Sequence, residues 1–344
     1  MSFKRKLLSI DGGGIRGIIP AKILVEIEKR TQKSIFELFD LIAGTSTGGI
    51  LALGLTAPDQ KENGKPRYTA EDLLNLYHQE SKNIFYEPFL ERMTSADDLV
   101  RPKYSSAGRD EVLNQYFGKT PIKEALTEVL VPSYDIEQRL PVFFTSDPGK
   151  QETRSPLFRK IRDGFTMKQA AMATSAAPTY FKPYRVPTTQ TRSGFYTLVD
   201  GGVFANNPTA LATIEAITDL KQNSHHLNIN SILVVSLGTG SLTGEYAYEQ
   251  AENWGLLGWV RPLLNITLDG SSESVAVQMA QLLPPVYEQP QQYYRFQQFL
   301  GSSNDDLDDI SNDNIQKLEA LAEQTIAEKT EEIDCLCQQL CEIN

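Results

Sequence analysis

Gly44-Thr45-Ser46-Thr47-Gly48 reads Gly-x-Ser-x-Gly. It sits between an apolar run, Phe39-Asp40-Leu41-Ile42-Ala43, and a helix-like run, Gly49-Ile50-Leu51-Ala52-Leu53. The chemistry such a serine could do is acyl transfer. A sharp strand-to-helix turn lifts its Oγ above a strand end, and the glycines tolerate close backbone approach. The helix N-terminus offers free N–H groups to developing negative charge. The same five residues also read as a plain glycine-rich turn, so the assignment needs partners.

Two further turns could supply them. Asp11-Gly12-Gly13-Gly14-Ile15-Arg16-Gly17 follows the apolar run Leu7-Leu8-Ser9-Ile10 and precedes another that begins at Ile18. Three glycines at a strand end free several backbone N–H groups, which can hold a phosphate or the oxyanion of acyl transfer. Leu198-Val199-Asp200-Gly201-Gly202-Val203 puts a carboxylate at the end of another strand, with glycines that let the chain turn away. Either turn, taken alone, is compatible with an ordinary strand terminus.

In this order the three segments resemble the patatin-like phospholipases. Ala173-Thr174-Ser175-Ala176-Ala177-Pro178-Thr179-Tyr180-Phe181 and Val235-Ser236-Leu237-Gly238-Thr239-Gly240 look like that family too. The matching blocks run from residue 5 to about 240; beyond that the likeness is diffuse. The resemblance implies a three-layer α/β/α fold with a mostly parallel central sheet, and a Ser–Asp dyad in place of a triad. Carried over, it makes Ser46 the nucleophile and Asp200 the base, with Gly13, Gly14 and Arg16 at the oxyanion site. It implies cleavage of carboxylic esters of membrane glycerolipids, of phospholipase A or galactolipase type, with no cofactor and no metal.

Serine, aspartate, then histidine is also the chain order of α/β-hydrolase triads, and there are three histidines, His78, His225 and His226. Topology argues against a triad. Asp200 is expected to end a strand at the carboxyl edge of the sheet, where open α/β sheets place their active sites. The helix expected over Asn207 to Lys221 then runs back across the sheet and leaves His225 and His226 about a strand length, ~17 Å, from Ser46. His78 falls in a helix-like run, Glu71 to Gln79, as a surface or satisfied side chain. A dyad asks burial to hold the Asp200 pKa up so that it can accept the serine proton. Asp11 precedes the glycine turn and is expected to cap or brace it. Arg16 reads either as a fixed charge beside that turn or as a helix-surface arginine.

Alternating strands and helices must position these turns. Strands are expected at Arg5–Ile10, Phe39–Ala43, Leu140–Thr145, Phe195–Val199 and Ser231–Ser236. Helices are expected at Ile19–Thr31, Thr47–Leu55, Met167–Ser175 and Asn207–Lys221, with more helix across 69–130. That alternation makes a mostly parallel sheet with helices on both faces. Residues 1–240 would form the catalytic core and 241–344 a C-terminal region packed on it. The latter would end in one long amphipathic helix from Asp313, whose stripe of Ile315, Leu318, Ile326, Ile333 and Leu336 docks on the body or on a partner chain.

With 344 residues, 40% of them hydrophobic and 22% charged, the chain can bury a large core. A net charge of −11 argues against nucleic acid as a partner. No signal peptide and no run of 18 apolar residues is evident, so the expectation is a cytoplasmic protein that meets membranes only at their surface. Cys335, Cys337 and Cys341 fit a reducing compartment and lack the histidine and spacing of a zinc site. The acidic run Asn304 to Asp309 reads as a solvated loop without EF-hand spacing. Trp254 to Leu264 holds both tryptophans with several leucines, a composition that suits either a membrane interface or core packing. A second candidate lipid-facing segment is Arg154 to Arg162, where Arg154, Arg159, Lys160 and Arg162 surround Leu157 and Phe158. Two rival functions stand beside the hydrolase. One is a non-catalytic storage or scaffold protein of the same fold. The other is a phosphate-binding ATPase or kinase, which lacks a Gly-Lys-Ser/Thr loop here and leaves Ser46 unexplained.

Overall fold

A computed structural model of the chain describes residues 3–85, 102–223, 229–241, 246–301 and 306–342. Its strands are β1 (Arg5–Ile10), β2 (Leu41–Gly44), β3 (Glu128–Asp135), β4 (Leu140–Thr145), β5 (Arg159–Ile161), β6 (Tyr184–Pro187), β7 (Phe195–Asp200), β8 (Ile232–Leu237) and β9 (Tyr293–Phe296). Its helices are α1 (Ile18–Thr31), α2 (Ile35–Leu38), α3 (Thr47–Thr56), α4 (Ala70–Ile84), α5 (Ser106–Phe117) and α6 (Met167–Thr174). They continue with α7 (Gly202–Ala205), α8 (Thr209–Asn223), α9 (Tyr248–Ala251), α10 (Leu256–Leu282), α11 (Asn312–Glu328) and α12 (Thr330–Cys341).

The strands join in one sheet of order β5-β4-β3-β2-β1-β8-β9, with β7 on β3 and β6 on β7. From β3 to β9 along that order every pair is parallel. Helices cover both faces, which is why β1, β2 and β8 read as near-continuous apolar runs. Alternation along β1 assigns the faces. Leu8 and Ile10 pack with α1, α3 and α4, while Leu7 packs with Ala212 and Ala216 of α8 and Met279 of α10. This is the three-layer α/β/α arrangement with a mostly parallel sheet expected from the sequence.

Two features depart from expectation. The strand that ends in Asp200 is not another parallel strand: β7 runs antiparallel to β3, with Ser133 opposite Asp200. And the C-terminal helix is two helices that meet at Lys329. A straight helix over that span would be ~45 Å long, twice the ~21 Å of α1. The bend lets both halves follow α1, so Ile315, Leu318, Ile333, Leu336 and Leu340 join Ile19, Ile23 and Ile27 in one buried cluster. The last carbonyls of α12 are capped from the opposite end of the chain, since Lys6 Nζ donates to the carbonyls of Leu340 (2.9 Å) and Glu342 (2.8 Å). Past residue 240 the chain also extends the sheet, through β9 on β8.

Candidate active site

Ser46 follows β2 and precedes α3, at φ 54° and ψ −121°. A non-glycine residue in that region costs on the order of 1–3 kcal/mol and persists only where its surroundings impose it. The surroundings here are the two glycines of the motif. A Cβ on Gly44 would lie 2.1 Å from the Gly48 carbonyl oxygen, and one on Gly48 would lie 2.3 Å from that of Ile10. The turn is therefore too tight for any other residue at either place. Ser46 N–H donates to Thr174 Oγ1 (3.0 Å), which holds the elbow from the α6 side.

The antiparallel course of β7 explains how Asp200 reaches the serine. β2 pairs with β3 only as far as Ala43 opposite Leu130. Three residues further along β3, on the flank that β2 has vacated, β7 arrives from the other direction and ends with Asp200 opposite Ser133. β4 occupies the other flank throughout. The ends of β2 and β7 thus point at each other, and Ser46 Oγ donates to Asp200 Oδ2 at 2.7 Å. The other carboxylate oxygen accepts from Gly202 N–H at 2.7 Å. Asp200 is 4% exposed. Burial is the dominant influence and pushes its pKa up to about 6, against the opposing pull of Ser46, Gly202 and Arg109.

No histidine among the described residues touches either group. His78 lies on α4, its Nε2 3.4 Å from Glu319. His225 and His226 lie outside the described residues. The helix before them, α8, starts beside the site and leads back to the edge where β8 begins, with Lys4 N–H donating to Ser231 O.

The glycine turn lies across from the dyad, where Ser46 Cβ is a near neighbour of Gly12. Its N–H groups divide sharply. Those of Asp11, Gly12, Ile15 and Arg16 donate to the carbonyls of Leu237, Asn206, Leu307 and Gly13. Those of Gly13 and Gly14 find no backbone acceptor among the described residues, and both glycines line the cleft with Ser46. Gly14 has φ +58°, and a Cβ there would lie 2.1 Å from Leu307 O. Arg16 is 3% exposed, and its Nε donates back to Gly13 O at 3.3 Å. It braces the turn from behind and is not part of the cleft wall. Asp11 braces it as expected, through an ion pair with Arg295 of β9 at 2.7 Å. The acidic run is a correction. Asn304 and Asp305 lie outside the described residues, but Leu307 and Asp308 are buried, not solvated. Asp308 accepts hydrogen bonds from Lys103 and Tyr104, and that tether seats Leu307 on the glycine turn.

Dyad and turn open into an apolar cleft. Its wall adds residues that the sequence did not single out, among them Arg109, Asn206 and Leu268, beside Leu264 and Leu307 from two segments that it did. The segments that looked familial beyond the three motifs turn out to be supports. Thr174 holds Ser46, Ala176 O accepts from Asp200 N–H (3.0 Å), and Thr239 Oγ1 donates to Gly12 O (2.6 Å). The basic segment is largely spent on internal contacts. Lys160 pairs with Glu215, Arg159 donates to the carbonyls of Ser155 and Phe158, Arg162 donates to Ser146 O, and Phe158 packs on Phe143.

Comparison with known proteins bears on the whole of this arrangement. A family model described as Patatin-like phospholipase matches residues 8–213. Patatin-like protein 1 of Oryza sativa subsp. indica is 30% identical over an alignment covering 95% of this chain and 82% of that protein. Patatin-T5 of Solanum tuberosum is 32% identical, covering 93% and 83%. A potato relative named Probable inactive patatin-3-Kuras 1 is 37% identical, covering 77% and 71%. The matched segment holds the glycine turn, the serine elbow and Asp200, and the chain belongs to the patatin-like phospholipase family.

Proposed function

We propose that the protein is a lipid acyl hydrolase that cleaves carboxylic esters of glycerolipids, of phospholipase A or galactolipase type, through an acyl-enzyme on Ser46. The observation that carries this is the 2.7 Å hydrogen bond from Ser46 Oγ to a buried Asp200 in an apolar cleft. A family that includes a relative named inactive could hold a storage protein, but that role has no use for a strained serine aimed at a carboxylate with a raised pKa.

In the proposed reaction Ser46 Oγ attacks the ester carbonyl carbon while its proton passes to Asp200 Oδ2. The carbonyl oxygen becomes an oxyanion facing the N–H groups of Gly13 and Gly14, each worth roughly 3 kcal/mol in such a role. Collapse breaks the bond to the glycerol oxygen, which leaves with the proton from Asp200. Water then attacks the acyl-enzyme, Asp200 takes its proton and returns it to Ser46 Oγ, and the fatty acid is released. No step calls on a metal. The test is labelling by a fluorophosphonate probe together with fatty-acid release from phospholipid and galactolipid in the presence of EDTA. Absence of both signals overturns the reading.

The base sets the pH profile. Asp200 must be ionised to accept a proton, and burial places its pKa at about 6. The rate on a soluble ester should therefore be flat near pH 7.5 and fall about tenfold per unit on the acid side of an apparent pKa near 6. A profile flat down to pH 4.5 would remove Asp200 from the base role.

Contact with the lipid surface is assigned to the start of α10. Among the described residues no helix is long and apolar enough to cross a membrane. Leu256, Leu257 and Leu263 are 91%, 69% and 56% exposed, while Leu264 and Leu268 of the same helix line the cleft. Trp254 and Trp259 pack edge to face at 5.1 Å, joined by Tyr246, and Trp259 is itself exposed. In this reading the exposed leucines enter the lipid together with Trp259. Changing Leu256, Leu257 and Leu263 together to serine should weaken binding to neutral phosphatidylcholine vesicles about tenfold or more. Hydrolysis of a soluble short-chain ester should persist. Equal loss on vesicles and soluble ester would place the face elsewhere.

A further inference from the structure

Arg109 is 1% exposed, and among the described residues its guanidinium makes no salt bridge, feeling the charge of Asp200 only at longer range. Its Nη1 donates to Ser175 O and to Ser175 Oγ (3.2 Å), whereas its Nε and Nη2 are buried and donate to nothing. Among the described residues no carboxylate lies within ion-pair distance of it, although it forms part of the cleft wall. The Phe181 ring lies over the guanidinium at 4.1 Å and covers its face, which leaves the N–H groups along its edge. Burial lowers its pKa to about 10, so it is still a cation at neutral pH. Two guanidinium N–H groups are thus left unbonded beside the cleft, and buried donors without acceptors are costly unless a ligand accepts from them.

Its position says which ligand. Three consecutive residues hold three groups. Thr174 Oγ1 accepts from Ser46 N–H, Ser175 O accepts from Arg109, and Ala176 O accepts from Asp200 N–H. Arg109 and both dyad members are thus held by one three-residue stretch, and all three line the same cleft. In a glycerophospholipid the ester carbonyl and the phosphodiester are separated only by the glycerol backbone, so both can enter one cleft. A planar fork of N–H donors also matches a phosphate in shape and charge.

We propose that Arg109 binds the phosphodiester of a glycerophospholipid substrate and so selects phospholipids over neutral glycerolipids in the cleft. A released fatty acid is the other oxyanion at hand, but its carboxylate forms at Ser46 itself, where Gly13 and Gly14 already offer N–H groups. The inference rests on the glycerolipid reading of the cleft. It is therefore tested by binding to the Ser46→Ala protein, which does not depend on turnover.

The probes are monomeric dihexanoyl-phosphatidylcholine, dihexanoylglycerol and hexanoate, titrated calorimetrically. Adding Arg109→Met to Ser46→Ala should weaken the phospholipid probe roughly 30-fold and dihexanoylglycerol less than about threefold. Arg109→Lys, a point charge without the fork, should recover part of the loss. The thermal melt of Arg109→Met should stay level, because replacing a buried guanidinium with unbonded N–H groups by an apolar side chain of similar length offsets the lost attraction to Asp200. Equal losses for phospholipid and diacylglycerol, or a loss confined to hexanoate, overturns the proposal. So does a melt that falls with phospholipid affinity intact. If Arg109→Met does not fold, Arg109→Lys decides alone. A several-fold loss for phospholipid only supports the proposal, and unchanged or equal affinities reject it.

Discussion

Ser46→Ala should lower ester turnover by roughly four orders of magnitude and Asp200→Asn by roughly three or more, each with the fold intact. Asp200→Asn should also melt at a higher temperature than the wild type. Burial holds Asp200 at about 6 in the folded chain, against 3.8 for a freely hydrated aspartate. The folded state therefore binds this proton more tightly than the unfolded state does. The stability this contributes is present in full below pH 3.8 and is lost as pH rises through 6, so at neutral pH the ionised group costs folding about 3 kcal/mol. An asparagine carbonyl can still accept from Gly202 N–H, and it carries no charge to desolvate. The check is a pair of thermal melts, at pH 7.5 and pH 4, beside a kinetic assay. The stability gap between Asp200→Asn and wild type should be wide at pH 7.5 and nearly closed at pH 4. Near-normal turnover in either variant would refute the dyad, and a melt lowered by Asp200→Asn would refute the burial argument.

Gly14→Ala should have the next largest effect. Its φ of +58° strains any L side chain, and the new Cβ would meet Leu307 O, a backbone atom that cannot swing aside. Either the turn or the Leu307 strand of chain must move, and the Gly14 N–H moves with it. The expected result is a loss of roughly 10²–10³-fold in kcat with KM little changed, since the N–H group matters most once the oxyanion has formed. Gly64 is the matched control. It has φ +78° with nothing within 4 Å of an added Cβ, so Gly64→Ala carries a similar backbone strain far from the site. It should lower the melt modestly and leave kcat alone. A Gly14→Ala enzyme with unaltered kcat would mean that the oxyanion is held elsewhere.

The sequence made the site legible because its three turns are short-range objects. Each glycine of the elbow and of the oxyanion turn is required by an approach within its own neighbourhood, and the apolar runs around them announce the strands. What escaped was set by long-range pairing. Nothing in Phe195 to Asp200 records that this strand runs against its neighbour, since a strand buried on both faces carries the same residues in either direction. Arg109 lies on a helix whose apolar pattern is weak, and its isolation is visible only once the surrounding acceptors are placed. The acidic run around Leu307 has the composition of a solvated loop. Its docking depends on one leucine and on two donors, Lys103 and Tyr104, some two hundred residues away in the chain.

That docking has a consequence for how the protein comes off the ribosome. The glycine turn and the elbow are made before Asp200. The clamp on Gly14 and the counter-ion of Asp11 come later still, from Leu307 and Arg295. At translation rates of roughly 5–20 residues per second, the gap between Ile15 and Leu307 lasts about 15–60 s. Through that interval the nascent chain holds nucleophile and base but an unfastened oxyanion turn and a carboxylate that cannot be buried. Closing the sheet with β9 and laying down Leu307 are therefore the events that bring the active site into being, and activity waits until synthesis has passed Leu307.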